Sequence, residues 1–145
     1  MVHALEEIRR LIKPDGFLID VHPISTPLIK VVHGNDVLFT ESDTGYDSHE
    51  GFTDNALEQV VLRGLFVIEG EAEFEMIIYA SSVAEMRDFW AKYGAYDNEP
   101  EDEAIVALKD AVYAKADEIM QNARGAEITY HERARITRLN PDASG

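Results

Sequence analysis

The sequence lacks cysteine, long apolar runs and, relative to its acidic residues, basic side chains. None of its 145 residues is Cys, which excludes disulfide bonds and thiolate metal sites. No apolar run approaches the roughly 20 residues that a membrane-spanning helix needs, and we recognise no secretory leader. We therefore expect a cytoplasmic protein.

The charge balance is strongly acidic. Thirteen Lys and Arg residues stand against 28 Asp and Glu residues, for a net charge of −15 at pH 7. Such a surface repels phosphate backbones and anionic lipid headgroups, so we expect neither nucleic acid nor a membrane as a partner. An apolar fraction of 46% in a chain of this length is typical of one globular domain. We place that domain at residues 1–140, followed by a frayed tail at 141–145.

The most informative segment is residues 4–21. Its first part has the 3.6-residue spacing of an amphipathic helix, with an apolar face formed by Leu5, Ile8, Leu11 and Ile12. Pro14 and Gly16 end that helix in a turn. The run Phe17-Leu18-Ile19 is apolar at consecutive positions, which predicts an interior strand covered by helices on both faces.

A β-hairpin is predicted at about residues 28–41. Two short β-type runs, 28–32 and 37–40, are joined at Gly34-Asn35, which tolerates the positive φ angles of a tight turn. The runs are apolar on both faces, and an isolated hairpin is not stable in water. We expect the hairpin to cover the protein's own core or another subunit.

Two later segments alternate between apolar and polar residues, as half-exposed strands do. From Glu71 onward the apolar side is predicted to face inward; it consists of Ala72, Phe74, Met76 and Ile78. In the last segment, 127–139, the polar side carries Arg133 and Arg135. Opposite charges favour cross-strand neighbours, so the match of these arginines to Glu73 and Glu75 predicts that the two strands are adjacent and antiparallel.

Residues Ala4 to Val21 resemble the helix–turn–strand that opens the C-terminal half of class I S-adenosylmethionine-dependent methyltransferases. The order of the following elements is similar to the rest of that half, apart from the hairpin, which would be an insertion. The resemblance implies an α/β fold: a partial, Rossmann-like methyltransferase sheet, mixed and of about three to five strands, with packed helices. It also implies that the last strand is antiparallel and lies between two earlier ones.

The sequence departs from this family at the cofactor site. The family holds S-adenosylmethionine with a glycine-rich turn and an acidic ribose ligand, whereas this chain has no G-x-G pattern. We therefore expect no cofactor, and no binding of S-adenosylmethionine by this chain alone. A sheet without its cofactor half leaves an apolar edge open, and a homodimer or another protein subunit would close it.

The candidates for catalysis are Asp20, His22 and Tyr46. Asp20 and His22 lie at the carboxyl end of the first strand, where open α/β sheets bind ligands. They would act there as an acid/base or substrate-orienting pair; alternatively, Asp20 hydrogen-bonds nearby backbone and His22 is a turn residue before Pro23. No metal site is predicted, because metal-ligand spacing is lacking among the histidines and acids that could form one: His22, His33, Asp43, Asp47, His49 and Glu50.

The sequence supports three functional hypotheses. The first is a methyltransferase-related, non-catalytic protein that works through assembly, as a homodimer or with another subunit. In the second, another chain supplies the cofactor half, and this chain contributes the substrate cap of a split methyltransferase through Asp20, His22 and Tyr46. In the third, the hairpin and residues 41–54 form a lid over a small-ligand site. Enzymatic activity is left open, with the non-catalytic hypothesis favoured.

Overall fold

The computed structural model describes residues 1–13, 15–43, 51–94 and 102–142. Within these ranges the fold is α/β, with four helices and an open sheet of five strands. In chain order the elements are α1 Val2–Leu11, β1 Leu18–Pro23, β2 Leu28–His33, β3 Asp36–Ser42, α2 Phe52–Leu62, β4 Phe66–Ala80, α3 Val83–Gly94, α4 Glu103–Asn122 and β5 Glu127–Pro141. None of the helices in the described part of the chain is long and apolar enough to span a membrane.

The sheet is organised around β5. Its strand order is β1-β5-β2-β3, with β4 paired to β5 as well. The registers of β1 with β5, β2 with β5 and β2 with β3 are antiparallel. The predicted α/β class is confirmed, whereas the mixed, Rossmann-like sheet that the resemblance implies is not, because these neighbouring strands run antiparallel.

The predicted pairing of β4 with β5 is confirmed. Glu73 forms ion pairs with Arg133 and Arg135, and Glu71 accepts a hydrogen bond from Thr137 at 3.3 Å. Residues later in β5 contact residues earlier in β4, so the two strands are antiparallel. As predicted, the last strand therefore lies between β1 and β4.

Contacts divide the chain into two compact units. The first contains Met1–Ser25, Ser48–Glu75 and Arg133–Gly145, and the second contains Thr26–Asp47 and Met76–Glu132. Strands β4 and β5 contribute residues to both units. The predicted 1–140 domain thus has two centres of packing.

In the first unit, α1 and α2 pack over β1 and the end of β5. The buried cluster beneath them consists of Leu5, Ala56, Leu57, Val60, Phe66 and Leu139. The predicted apolar face of α1 is correct at Leu5 and Ile8 and wrong at Leu11, which is exposed. The helix ends at Leu11 and Ile12 is already extended, so the last turn does not continue over the cluster. Pro14 lies outside the described residues.

In the second unit, α3 and α4 cover the hairpin and the start of β5. The fully buried side chains of this cluster include Val31, Ala116 and Ile128. The predicted hairpin is confirmed: β2 and β3 are antiparallel, and Gly34 has a φ of 60° in the turn that joins them. Ser82 caps α3 by accepting the backbone N–H of Glu85 at 3.1 Å.

Candidate functional site

Strand β1 has its polar side against the helices and its apolar side exposed. Leu18 packs into the cluster under α1 and α2, so Asp20 and His22, at alternate positions, face the same way. On the opposite side, the exposed fractions of Ile19 and Val21 are 43% and 55%. The prediction that helices cover both faces of this strand is therefore wrong, because α1 and α2 lie on one side of it only.

The imidazole of His22 lies between two carboxylates. Its Nδ1 contacts Asp20 Oδ2, and its Nε2 lies 3.1 Å from Asp54 Oδ1. Only 8% of His22 is exposed.

Asp54 links this histidine to β5. It belongs to the first turn of α2 and faces the sheet, where Arg135 NH1 lies 2.8 Å from the same Oδ1 atom. Arg135 and His22 are direct cross-strand partners in the β1–β5 register. One oxygen of Asp54 therefore contacts side chains from two neighbouring strands, which connects α2 to the sheet.

The arginine extends the cluster to β4. Arg135 NH2 lies 3.3 Å from Glu73 Oε1, and Arg133 forms an ion pair with the other oxygen of the same carboxylate. The hydrogen bond from Arg135, and secondarily the one from Arg133, lowers the pKa of Glu73 below its usual range. Conversely, the hydrogen bond to Glu73 raises the pKa of Arg135. We call the connected set the His22 network; its members are Asp20, His22, Asp54, Glu73, Arg133 and Arg135.

The network can position residues more readily than it can transfer protons. Arg133 and Arg135 each contact a carboxylate, and both ring nitrogens of His22 are in contact with carboxylates. For His22 to accept a proton from a substrate, Asp54 would first have to move from Nε2. The arrangement suits a rigid support beneath a binding surface, because paired and partly buried charges resist displacement.

The structure brings two of the three predicted candidates together. Asp20 and His22 contact each other at the carboxyl end of β1, and Tyr46 lies outside the described residues. The sequence reasoning missed Asp54 as a member of the site. Its partner His22 lies 32 residues away, and their contact depends on how α2 packs, which no local pattern signals.

A separate groove lies in the second unit between α3 and α4. It has a volume of about 300 Å³ and is lined by Val83, Ala84, Arg87, Tyr113, Ala114 and Asp117. The guanidinium of Arg87 lies 4.8 Å from the centre of the Tyr113 ring and pairs with Asp110. Burial raises the pKa of Tyr113 to about 12. The arginine is thus held within the wall of the groove.

Among the described residues, no group of three or more His, Cys, Asp or Glu side chains has the geometry to hold a metal ion. Comparisons with protein-family models, curated proteins and solved structures found no match to this chain.

Proposed function

We propose that this chain is a methyltransferase-related protein that is not itself catalytic and that works through assembly with another protein surface. The order of strands supports the relationship. An antiparallel last strand, β5, lies between β1 and β4, which is the arrangement expected for the closing half of a class I methyltransferase. The order of elements is a fold-level analogy, so the function is argued from the surfaces and side chains of this chain.

The observation that carries the proposal is an exposed apolar face in the first unit. Ile19 and Val21 on β1 and Phe74 on β4 are all more than 40% exposed. Phe74 shares this face because its neighbour Glu73 points to Arg135 on the helix side. We call this surface the open face; its apolar members are Phe17, Ile19, Val21, Val67 and Phe74. Contiguous apolar patches of this kind mark interaction sites on proteins.

The open face also corrects a sequence prediction. Ala72, Phe74 and Met76 are predicted to face inward, and in the structure all three are exposed. Only Ile78, farther along β4, packs against a buried cluster. From Glu71 onward the alternation of β4 is correct, since Glu71 and Glu73 both contact the helix side of β5. In the first unit the apolar side of this segment is exposed rather than used in the core.

Two further observations support the proposed non-catalytic role. The sequence has no G-x-G turn of the kind that lets a backbone approach S-adenosylmethionine. Among the histidines in the described part of the chain, His22 is the most buried, and it has a carboxylate at each ring nitrogen, so it is committed to contacts within the protein. Both favour a supporting role for the polar side of the sheet.

Titration calorimetry with S-adenosylmethionine tests the proposal. The purified chain should give no binding heat, while a class I methyltransferase measured in parallel should give a normal isotherm. Micromolar binding by this chain would contradict the proposal, because it would mean that the 145 residues build a cofactor site without the glycine-rich turn.

A second candidate function is the substrate cap of a split methyltransferase. It is favoured by the position of Asp20 and His22 at the carboxyl end of β1, the usual ligand-binding edge of such sheets. If it holds, a cofactor-binding protein copurifies with this chain, and His22→Asn lowers the kcat of the complex without dissociating it. Equal activity of the complex with either chain would exclude this role for His22.

A further inference from the structure

We propose that the open face binds the open face of a second copy of this chain, in a two-fold symmetric homodimer. This inference rests on the proposed function and identifies the partner through which assembly occurs. It depends on three properties of the face: its apolar surface, its charge and the arrangement of its charged groups.

The apolar side chains of the open face are neighbours in the sheet. Val21 lies opposite Ile136 in the β1–β5 register, and Ile19 lies opposite Arg138. The Arg138 guanidinium lies 4.2 Å from the centre of the Phe17 ring, which ties Phe17 to the same surface. On β4, Phe66 packs under the helices, so the next residue, Val67, points to the open side. Glu69 contacts Arg138 on the open side as well. Glu71, however, contacts Thr137 on the helix side, so the alternation of β4 shifts by one residue between Glu69 and Glu71, and Phe74 also points to the open side.

The charged groups of this face neutralise each other. Arg138 Nε lies 2.6 Å from Glu69 Oε2. Within the described parts of β1, β4 and β5 in the first unit, these two are the charged residues on the open face. The whole chain, in contrast, carries a net charge of −15. Two copies repel each other over most of their surface, and the repulsion is smallest where the local charge is zero.

The same pair of charges is self-complementary under two-fold symmetry. A two-fold interface brings the same patch of both copies together, so a patch that contacts itself needs both signs of charge. With Arg138 and Glu69 side by side, the arginine of each copy can approach the glutamate of the other. A basic partner protein would be attracted instead to the acidic surfaces outside this face.

The composition of the open face also fits the interior of a dimer interface. Stable interfaces bury about 800 Å² on each partner, with apolar and aromatic residues at the centre and polar residues at the rim. Two phenylalanines and three aliphatic side chains would form that centre, with the Arg138–Glu69 pair at its edge. Burial of such a surface is the main driving force of association.

Sedimentation equilibrium and light scattering test the proposal with one variant on the face and one matched control. Val21→Lys places a charge in the centre of the open face. Val37→Lys makes the same change on β3, where Val37 is similarly exposed at 58%. The wild-type chain and V37K should be dimers, and V21K should have a dissociation constant at least about tenfold higher.

A spin label provides a second readout that does not depend on a disruptive charge. The chain has no cysteine, so Val21→Cys and Val37→Cys each accept a single nitroxide. The label at position 21 should be immobilised and should become mobile when the labelled chain is diluted below the dissociation constant. The label at position 37 should be mobile at both concentrations.

Several outcomes would overturn the inference. They are a monomeric wild-type chain, dissociation by V37K rather than V21K, or a label at position 21 that is mobile at high concentration. A monomer that binds a different protein through Val21 would also overturn it, while leaving the proposed assembly function intact. Binding of S-adenosylmethionine would contradict the proposed function whatever the oligomeric state, so the two failures are distinguishable.

Discussion

His22 and Arg135 are direct cross-strand neighbours and contact the same carboxylate oxygen. The distances from Asp54 Oδ1 are 3.1 Å to His22 Nε2 and 2.8 Å to Arg135 NH1. The shared acceptor lies on α2, so a single side chain connects two strands to a helix. This geometry makes Asp54 the central contact of the His22 network.

Removal of that contact should destabilise the first unit. Asp54→Ala leaves the buried imidazole without its Nε2 partner and Arg135 without one of its two carboxylates. We expect a loss of about 1–3 kcal/mol in the free energy of unfolding, measured with urea. Asp88→Ala is the control, because its exposed ion pair with Lys92 should contribute only about 0.5 kcal/mol. Equal losses in both variants would argue against a central role for Asp54.

The carboxyl group of Glu73 should titrate below its ordinary pKa of 4.5, because Arg135 and Arg133 favour its ionised form. The pKa is lower in the folded state than in the unfolded state. The resulting stabilisation is therefore present above about pH 4.5 and is lost as the pH falls through the lowered pKa.

Carbon NMR of the Glu73 carboxyl group gives the measurement. Arg135→Met should raise the pKa more than Arg133→Met does, since the hydrogen bond from Arg135 is the larger cause of the shift. An unchanged Glu73 pKa in both variants would contradict the assigned cause.

Arg9 should stabilise the protein more than its neighbour Arg10. The Nε of Arg9 donates to the backbone oxygen of Leu65 at 3.0 Å, and its NH2 donates to that of Asp142 at 2.8 Å. Arg9→Ala should lower the free energy of unfolding by about 1–3 kcal/mol, because both hydrogen bonds are lost.

Thermal unfolding monitored by circular dichroism can make this comparison. Arg10 is an exposed residue paired with Glu7, so Arg10→Ala should change stability by less than about 0.5 kcal/mol. Arg9→Lys should recover only part of the loss, since lysine lacks the planar fork that reaches two acceptors. Full recovery by lysine would mean that charge, rather than geometry, is what matters.

Tyr113 should make the protein less stable at high pH. Burial, and secondarily the charge of Asp43, raises its pKa from 10.0 to about 12. The folded state keeps the phenol protonated while the unfolded state ionises, so stability is complete below pH 10 and declines as the pH rises toward 12. The total loss should be on the order of 2 kcal/mol.

Unfolding curves at several pH values between 9 and 12 test this contribution against Tyr113→Phe. The variant should have a smaller decline with pH than the wild-type chain, and absorbance at high pH should show one fewer late-titrating phenol. Identical declines would indicate that other groups are responsible.

Much of the fold was accessible from the sequence because it depends on local patterns. The Gly34-Asn35 turn identified the β2–β3 hairpin, since positive φ is required there. The charges of Glu73, Arg133 and Arg135 identified β4 and β5 as neighbours, because opposite charges meet across adjacent strands. Both features are encoded within or between short segments.

The candidate site was accessible only in part. Asp20 and His22 are two positions apart on one strand, so alternation alone puts them on the same side. Asp54 joins them through the packing of α2, and residues this far apart in sequence meet only when the tertiary structure forms. Leu11 is exposed although its spacing predicts burial, because α1 ends there and Ile12 is already extended.

By itself, the sequence determined the acidic charge, the α/β class, the hairpin and the partnership of β4 with β5. It also determined that β4 has an apolar side. Only the tertiary structure decided which sides the helices cover, and it placed Asp20 and His22 inward and Ile19, Val21 and Phe74 outward. The physical reason is that alternation divides a strand into two faces, whereas burial depends on where other elements pack.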